Sequence, residues 1–266
     1  MHSSSGVSRI ERGEPVTMLG VWAHPDDEAY LSTVLMHRIV ESGGRVVVVT
    51  ATRGELGSND PAGVPVQLAI GREQELRAAM ALIGVADVHV LGIADGACVH
   101  ADPTAMTATL DDLIQFEDPD LIVTFGPDGI TGHPDHRAVS QWAISAAQRG
   151  TRAQLLLTTM THHFVARNAP LHDRIGMSMG PALHSVADHE LALSIAPDGA
   201  EQRLKSQVLD AHDSQTRQLV ELVGRDAFHA WWPNEMFRHP TVEDVRWADT
   251  ARAYAARRSC PNGPRG

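Results

Sequence analysis

The sequence predicts an α/β fold with a mostly parallel sheet flanked by helices, and three observations carry that prediction. Short apolar runs alternate with stretches of helical periodicity from about residue 16 to residue 160. The run RVVVVTAT at 45–52 is rich in valine at successive positions, so both faces of that strand are covered, as in parallel sheets. Helices between successive strands then imply right-handed crossovers.

The elements follow in order. VTMLGVWA at 16–23 is the first strand. Leu31, Leu35, Ile39 and Val40 recur at helical spacing, and Ser42-Gly43-Gly44 stops that helix. Strand two is 45–52, and RGELGSNDPAGVP is a loop. A helix covers 66–82, with Leu68, Leu76, Met80 and Leu82 among its apolar positions. DVHVLGI is the third strand, 104–116 a helix, DLIVTFG the fourth strand, 134–148 a helix and QLLLTTM the fifth strand. Past Met160 the pattern loosens: SVADHELALSI at 185–195 reads as a further strand, and 201–212 and 214–224 as helices. With no internal repeat, a single domain is expected over 15–258, its core at 15–160 and a capping part at 161–258. Residues 1–14 are expected to be a flexible lead-in and 259–266 a Pro/Gly-rich flexible tail.

The chain has 266 residues, 43% hydrophobic and 21% charged, which is enough to bury a sizeable core. A formal net charge of −11 argues against a nucleic-acid binder. No run of 18 apolar residues predicts a membrane span, and MHSSSGVSRIERGEP lacks the apolar segment of a signal peptide. Cys98 and Cys260 lie far apart and define neither a disulfide framework nor a metal motif, which fits a reducing cytoplasm. Fifteen histidines are many, but the count alone identifies nothing.

Ligands in open α/β sheets bind beyond the carboxyl ends of the strands. AHPDDE at 23–28 follows strand one. Pro25 suits the first turn of the next helix, leaving Asp26, Asp27 and Glu28 at its positive end. Acids there stabilise a helix by roughly 0.3–1 kcal/mol each, so they do not by themselves define a site. A second such turn, GHPDH at 132–136, follows strand four. Strands one and four are neighbours in a doubly wound sheet, so the two turns face one crevice. His24 and Asp27 are three apart and can reach one ion; His133 or His136 completes two imidazoles and a carboxylate. That set suits zinc with a position open to water, and also non-haem iron. The remaining carboxylate is free to act as a base.

AHPDDE followed by GHPDH resembles the PIG-L/LmbE-like family of zinc-dependent N-deacetylases. TRGELG, REQELRAA, LGIADG and LDAHDSQ are similar too, so the resemblance spans about 16–215. It implies a Rossmann-like, LmbE-like domain with a C-terminal extension. The expected reaction removes an N-acetyl group from an N-acetylglucosamine-type sugar or conjugate. The alternative is cleavage of a larger amide in such a conjugate. One Zn2+ per chain, or another divalent ion such as Fe2+, would be held by His24, Asp27 and His136. Asp26 is implied as general base and His133 as general acid or electrophile, protonated when it stabilises the oxyanion; Asp135 would orient His133. Arg72 and Asp95 are expected to hold sugar hydroxyls, with Arg53 and Glu55 near the same edge. Some relatives carry a tyrosine two residues before the first histidine of the second motif; Thr131 stands there in this chain. Expected partners are a small-molecule or glycoconjugate substrate and a second copy of the chain.

Competing readings are plain. Arg72 also reads as a solvated cation pairing with Glu73 or Glu75, and Asp95-Gly96 as a turn dipeptide. His162-His163 reads as a helix start, Trp231-Trp232 as core or subunit contact, and His212 as structural. His24-x-Asp26 matches the spacing of iron oxygenases, but those sit on jelly rolls of many short strands. A dinucleotide module is disfavoured because AHPDDE replaces G-x-G-x-x-G and its acids repel a pyrophosphate.

Overall fold

Strands β1 (Thr17–Trp22), β2 (Arg45–Thr52), β3 (Asp87–Ile93), β4 (Leu121–Phe125) and β5 (Gln154–Thr158) run parallel in a computed structural model that describes residues 5–57, 64–180 and 182–259. Strands β6 (Leu193–Ile195) and β7 (Glu235–Arg238) join antiparallel beyond β5, giving the order β3-β2-β1-β4-β5-β7-β6. The sheet is doubly wound, and β1 and β4 are neighbours, with Met18 opposite Leu121 and Gly20 opposite Val123. Val46 to Val49 are all buried, as a strand covered on both faces requires.

Helices pack on both faces: α1 (Gly6–Glu11), α2 (Asp27–Leu31), α3 (Thr33–Glu41), α4 (Pro65–Leu82), α5 (Pro103–Glu117), α6 (Gly129–Gly132), α7 (Pro134–Ala147), α8 (His162–Ile175), α9 (Gly199–Ala211), α10 (Asp213–Val223), α11 (Arg225–Trp231) and α12 (Val242–Ser259). Several start on local signals. Asp102 accepts from the Thr104 N–H at 2.9 Å ahead of Pro103 in α5, and Asp198 with Glu201 forms a capping box on α9. Among the described residues no helix is long and apolar enough to cross a membrane.

Three expectations need correction. The supposed loose lead-in contains α1, capped by Ser5 and docked through buried Val7 and an Arg9–Asp120 pair at 2.6 Å. It buries too few apolar residues to show a periodicity. The helix expected through Leu31 and Leu35 is two helices, broken at Ser32 (φ −151°). The break is held from far away: the Glu235 carboxylate on β7 accepts the N–H groups of Val34 and Leu35 at 2.8 and 2.9 Å, capping α3. Lys205, fully buried, donates to Glu235 at 2.9 Å and to the Tyr30 carbonyl at 2.7 Å. The strand expected at 185–195 is reduced to Leu193–Ile195, after a 3-10 turn at Asp188–Glu190. Beyond Trp232, β7 extends the sheet and α12 packs on α7 and α5.

Candidate active site

Both His-Pro-Asp turns converge beyond the carboxyl ends of β1 and β4. His24 follows β1; its Nδ1 lies 3.2 Å from His136 Nε2 near the start of α7. Asp27 lies between them, with Oδ1 3.3 Å from His136 Nε2 and Oδ2 3.8 Å from His24 Nδ1. The Ala23 and His24 N–H groups donate to Asp27 Oδ2 at 3.2 and 2.8 Å and fix the carboxylate. Two donor atoms on a tetrahedral zinc ion stand roughly 3.3 Å apart, given bonds of about 2.0–2.1 Å. His24 Nδ1 and His136 Nε2 therefore stand at the separation of two ligands on one ion, with the Asp27 carboxylate beside both. His24, His133 and His136 also form a group able to hold a metal.

Each candidate ligand imidazole is oriented on its other side. His136 Nδ1 is 3.0 Å from the Gly129 carbonyl, and its ring stacks on Phe125. On the Nε2 side of His24 lie Asp95 Oδ1 at 3.0 Å and Asp135 Oδ2 at 3.5 Å. Such partners fix ring and tautomer in metal-binding histidines. The electrostatics favour a cation. Burial pulls the His24 imidazole down, but Asp135, Asp95 and Asp27 outweigh it and hold its proton up to about 10. Burial, joined by His24, pushes His136 down to about 3.

Asp26 sits outside the ligand triangle, at the N-cap of α2, with φ 124°. Pro25 consequently precedes the helix and does not open it, a correction to its expected place in the first turn. Burial, reinforced by Asp27, raises the Asp26 carboxyl to about 6, while Arg72 opposes the rise. Arg72 is buried and spans the site: it donates to Gly54 O at 2.7 Å and Pro25 O at 2.6 Å and stands 3.4 Å from Asp26 Oδ2. The solvated-cation reading of Arg72 therefore does not hold. Glu73 pairs with Arg53 and Arg77, while Glu75 accepts from Ser214. Gly54 has φ 67°, and a Cβ there would collide with the Arg72 guanidinium.

The second turn corrects two expected roles. Asp135 does not orient His133. Its carboxylate is fully buried, accepts from Gly96 N–H at 2.7 Å and Cys98 N–H at 3.1 Å, and faces His24. His133 instead caps α7: its Nδ1 accepts from the Asp135 N–H at 3.1 Å. A ring nitrogen that accepts carries no proton, so His133 is the neutral Nε2–H tautomer and not the expected imidazolium. Burial and the neighbouring His136 and His24 push it down to about 4, in agreement. Asp95 is less free than a sugar-binding role suggests, because it also accepts from Leu56 N–H at 3.0 Å. Glu55 holds the Asp95 N–H at 3.0 Å, and exposed Arg53 faces Glu73.

These groups open onto a cavity of about 480 Å3. His24, Asp26, Asp27, Thr131, His133 and His136 line it. The far wall is apolar: Ile175, Met177, Leu219, Trp231 and Trp232. Trp231 and Trp232 are thus core residues that also face the cavity. His162 starts α8 and lies 2.8 Å from Ser185, outside the cavity lining.

The family described as GlcNAc-PI de-N-acetylase, PIG-L, matches residues 19–147, the stretch holding both turns. Over this segment the chain is similar to the PIG-L family. A 1D-myo-inositol 2-acetamido-2-deoxy-alpha-D-glucopyranoside deacetylase of Kineococcus radiotolerans is 33% identical over 170 residues, covering 53% of this chain and 47% of the relative. A second deacetylase of the same description, from Catenulispora acidiphila, is 34% identical over 163 residues, covering 53% and 54%. The chain thus spans about half the length of these curated relatives. The N,N'-diacetylchitobiose deacetylase of Pyrococcus horikoshii shares the fold, with TM-score 0.62 and 18% identity over 91% of this chain and 88% of that one. Within the PIG-L segment lie the ligand triangle, Asp26, Arg72, Asp95 and both residues of the His133–Asp135 turn. The apolar wall, with Gln215, comes from outside it.

Proposed function

We propose that this chain is a metal-dependent amide hydrolase that removes the N-acetyl group from an N-acetylglucosamine-type sugar conjugate. The observation that carries it is the triangle of His24, Asp27 and His136 at ligand spacing, with an unligated carboxylate, Asp26, beside it on a cavity. The relatives' shared description, a 2-acetamido sugar deacetylase, supports the same bond. Zinc is the proposed metal, since two imidazoles and one carboxylate with an open position suit it. When bound, the ion lowers the pKa of water and polarises the acetyl carbonyl.

The chain's own groups do the rest. Asp26, half-buried and lining the cavity, takes a proton from the attacking water. Arg72 holds that carboxylate in place from the α4 side. His133, with Nδ1 occupied by its cap, donates through Nε2–H to the oxyanion. Because His133 has no second proton to give, Asp26 returns its proton to the departing amine. Asp95 and Asp135 hold His24 in its ligand orientation. The cytoplasm is the proposed setting, where free, buried Cys98 stays reduced.

The test is free-amine release from a panel of N-acetylglucosamine conjugates, before and after chelation and after zinc is restored. Loss on chelation and recovery with zinc are expected. Undiminished turnover in metal-free protein overturns the reading.

A further inference from the structure

Directly behind Asp26 lies a buried contact that the reaction does not use. Glu28 is fully buried on α2. One of its oxygens, Oε2, accepts the Asp26 N–H at 3.2 Å. The other, Oε1, lies 2.9 Å from His212 Nε2, and His212 is itself fully buried. His212 is 184 residues away from Glu28 in the chain, where α9 ends and α10 begins. Its carbonyl accepts from Gln215 and Thr216 N–H at 2.9 and 3.0 Å, and Ser214 reaches Glu75 of α4 at 2.6 Å. The corner is therefore fixed on the same helix that carries Arg72.

Asp26 needs such support. A non-glycine residue with φ 124° is strained, and strain of this kind persists only where the surroundings over-determine it. Its side chain is restrained by Arg72 and its N–H by Glu28. A carboxylate buried this deeply needs a partner, and His212 supplies it. We infer that His212 is a positioning residue for Asp26, acting through Glu28. Without His212 the Glu28 carboxyl has no charged neighbour on that side, its grip on the Asp26 N–H slackens, and the turn relaxes toward an ordinary φ. The base then moves relative to the water it must deprotonate. This inference rests on reading Asp26 as the base.

The test compares crystal structures and kinetics of the metal-loaded wild type, His212→Leu, His212→Gln and Glu117→Gln. Glutamine keeps a donor toward Glu28, whereas leucine does not. Glu117 lies at the opposite end of the sheet against Arg45 and serves as the control for general destabilisation. In His212→Leu, Asp26 is expected to leave its φ near 124°, with kcat down about a hundredfold and KM within about threefold. His212→Gln recovers at least tenfold of that loss, roughly the value of restored positioning. Glu117→Gln lowers the melting temperature with kcat unchanged. A folded His212→Leu enzyme with the Asp26 turn intact and wild-type kcat overturns the inference. Should His212→Leu fail to fold, Glu28→Gln and His212→Gln decide by the same two readouts. If wild type releases no amine from any sugar, the proposed function fails, while the Asp26 backbone in the variant structures still decides the role of His212.

Discussion

Two His-Pro-Asp turns face each other in this molecule, and they do different work. In the second, His133 caps α7, Pro134 opens the helix, Asp135 points inward, and His136 Nε2 faces His24. In the first, the chain breaks at Asp26 before the helix starts, so His24 and Asp27 face His136 as the proposed ligands and Asp26 stands outside that group. The aspartates that follow proline diverge most. Asp26 keeps a side chain 20% exposed toward the cavity, with its carboxyl raised to about 6 by burial. Asp135 is fully buried, and despite burial its contacts with His24 and the Gly96 N–H lower its carboxyl below the usual range. One environment suits the proposed base and the other holds a charged carboxylate against His24 and the Gly96 N–H. A motif repeated in sequence is not thereby repeated in role; the backbone angle at one residue separates them.

Substitutions that treat the turns alike should sharpen this contrast. The largest effect belongs to Asp26→Asn, expected to lower kcat by about 10²–10⁴-fold while metal content, read by elemental analysis, stays the same. Next comes His133→Ala, which removes one oxyanion donor and should cost about 10²–10³-fold in kcat. Loss of metal in that variant instead would make His133 a ligand and break the assignment of His136. Asp135→Asn should weaken metal affinity, read by titration, by about 10–100-fold, because it loosens His24 and not the base. An Asp135→Asn enzyme that keeps wild-type metal affinity but loses kcat would put the two aspartates in the same role.

A pH profile separates the turns further. With Asp26 as the proposed base, activity requires its ionised form, and burial holds it up to about 6, so kcat should fall as pH drops through about 6. Asp135 remains charged in that range. In Asp26→Asn the acid limb should disappear. The smallest effect is expected for Arg53→Ala. Arg53 is exposed and paired with Glu73, and surface pairs contribute about 0–1 kcal/mol, so kcat/KM should stay within about twofold.

Much of this was legible from the residues alone. The valine run at 45–52 and the strand–helix alternation place β1 beside β4, and the paired turns name the chemistry of the site. Other features were out of reach for a physical reason: periodicity and capping signals act within a turn or two, while the deciding contacts join distant segments. Nothing near Ser32 announces that Glu235, two hundred residues on, caps α3. Nothing in TRGELG states that Gly54 leaves room for the Arg72 guanidinium.

Residue pattern alone therefore gave the layer architecture, the crevice and a set of groups able to bind a cation. Local pattern suffices for these, because strand and helix periods are short-range. Which histidine caps a helix, which aspartate keeps a side chain toward the cavity, and what lines that cavity came only from three-dimensional packing. Those choices depend on side-chain directions and on backbone angles such as that of Asp26, which packing between remote parts of the chain imposes.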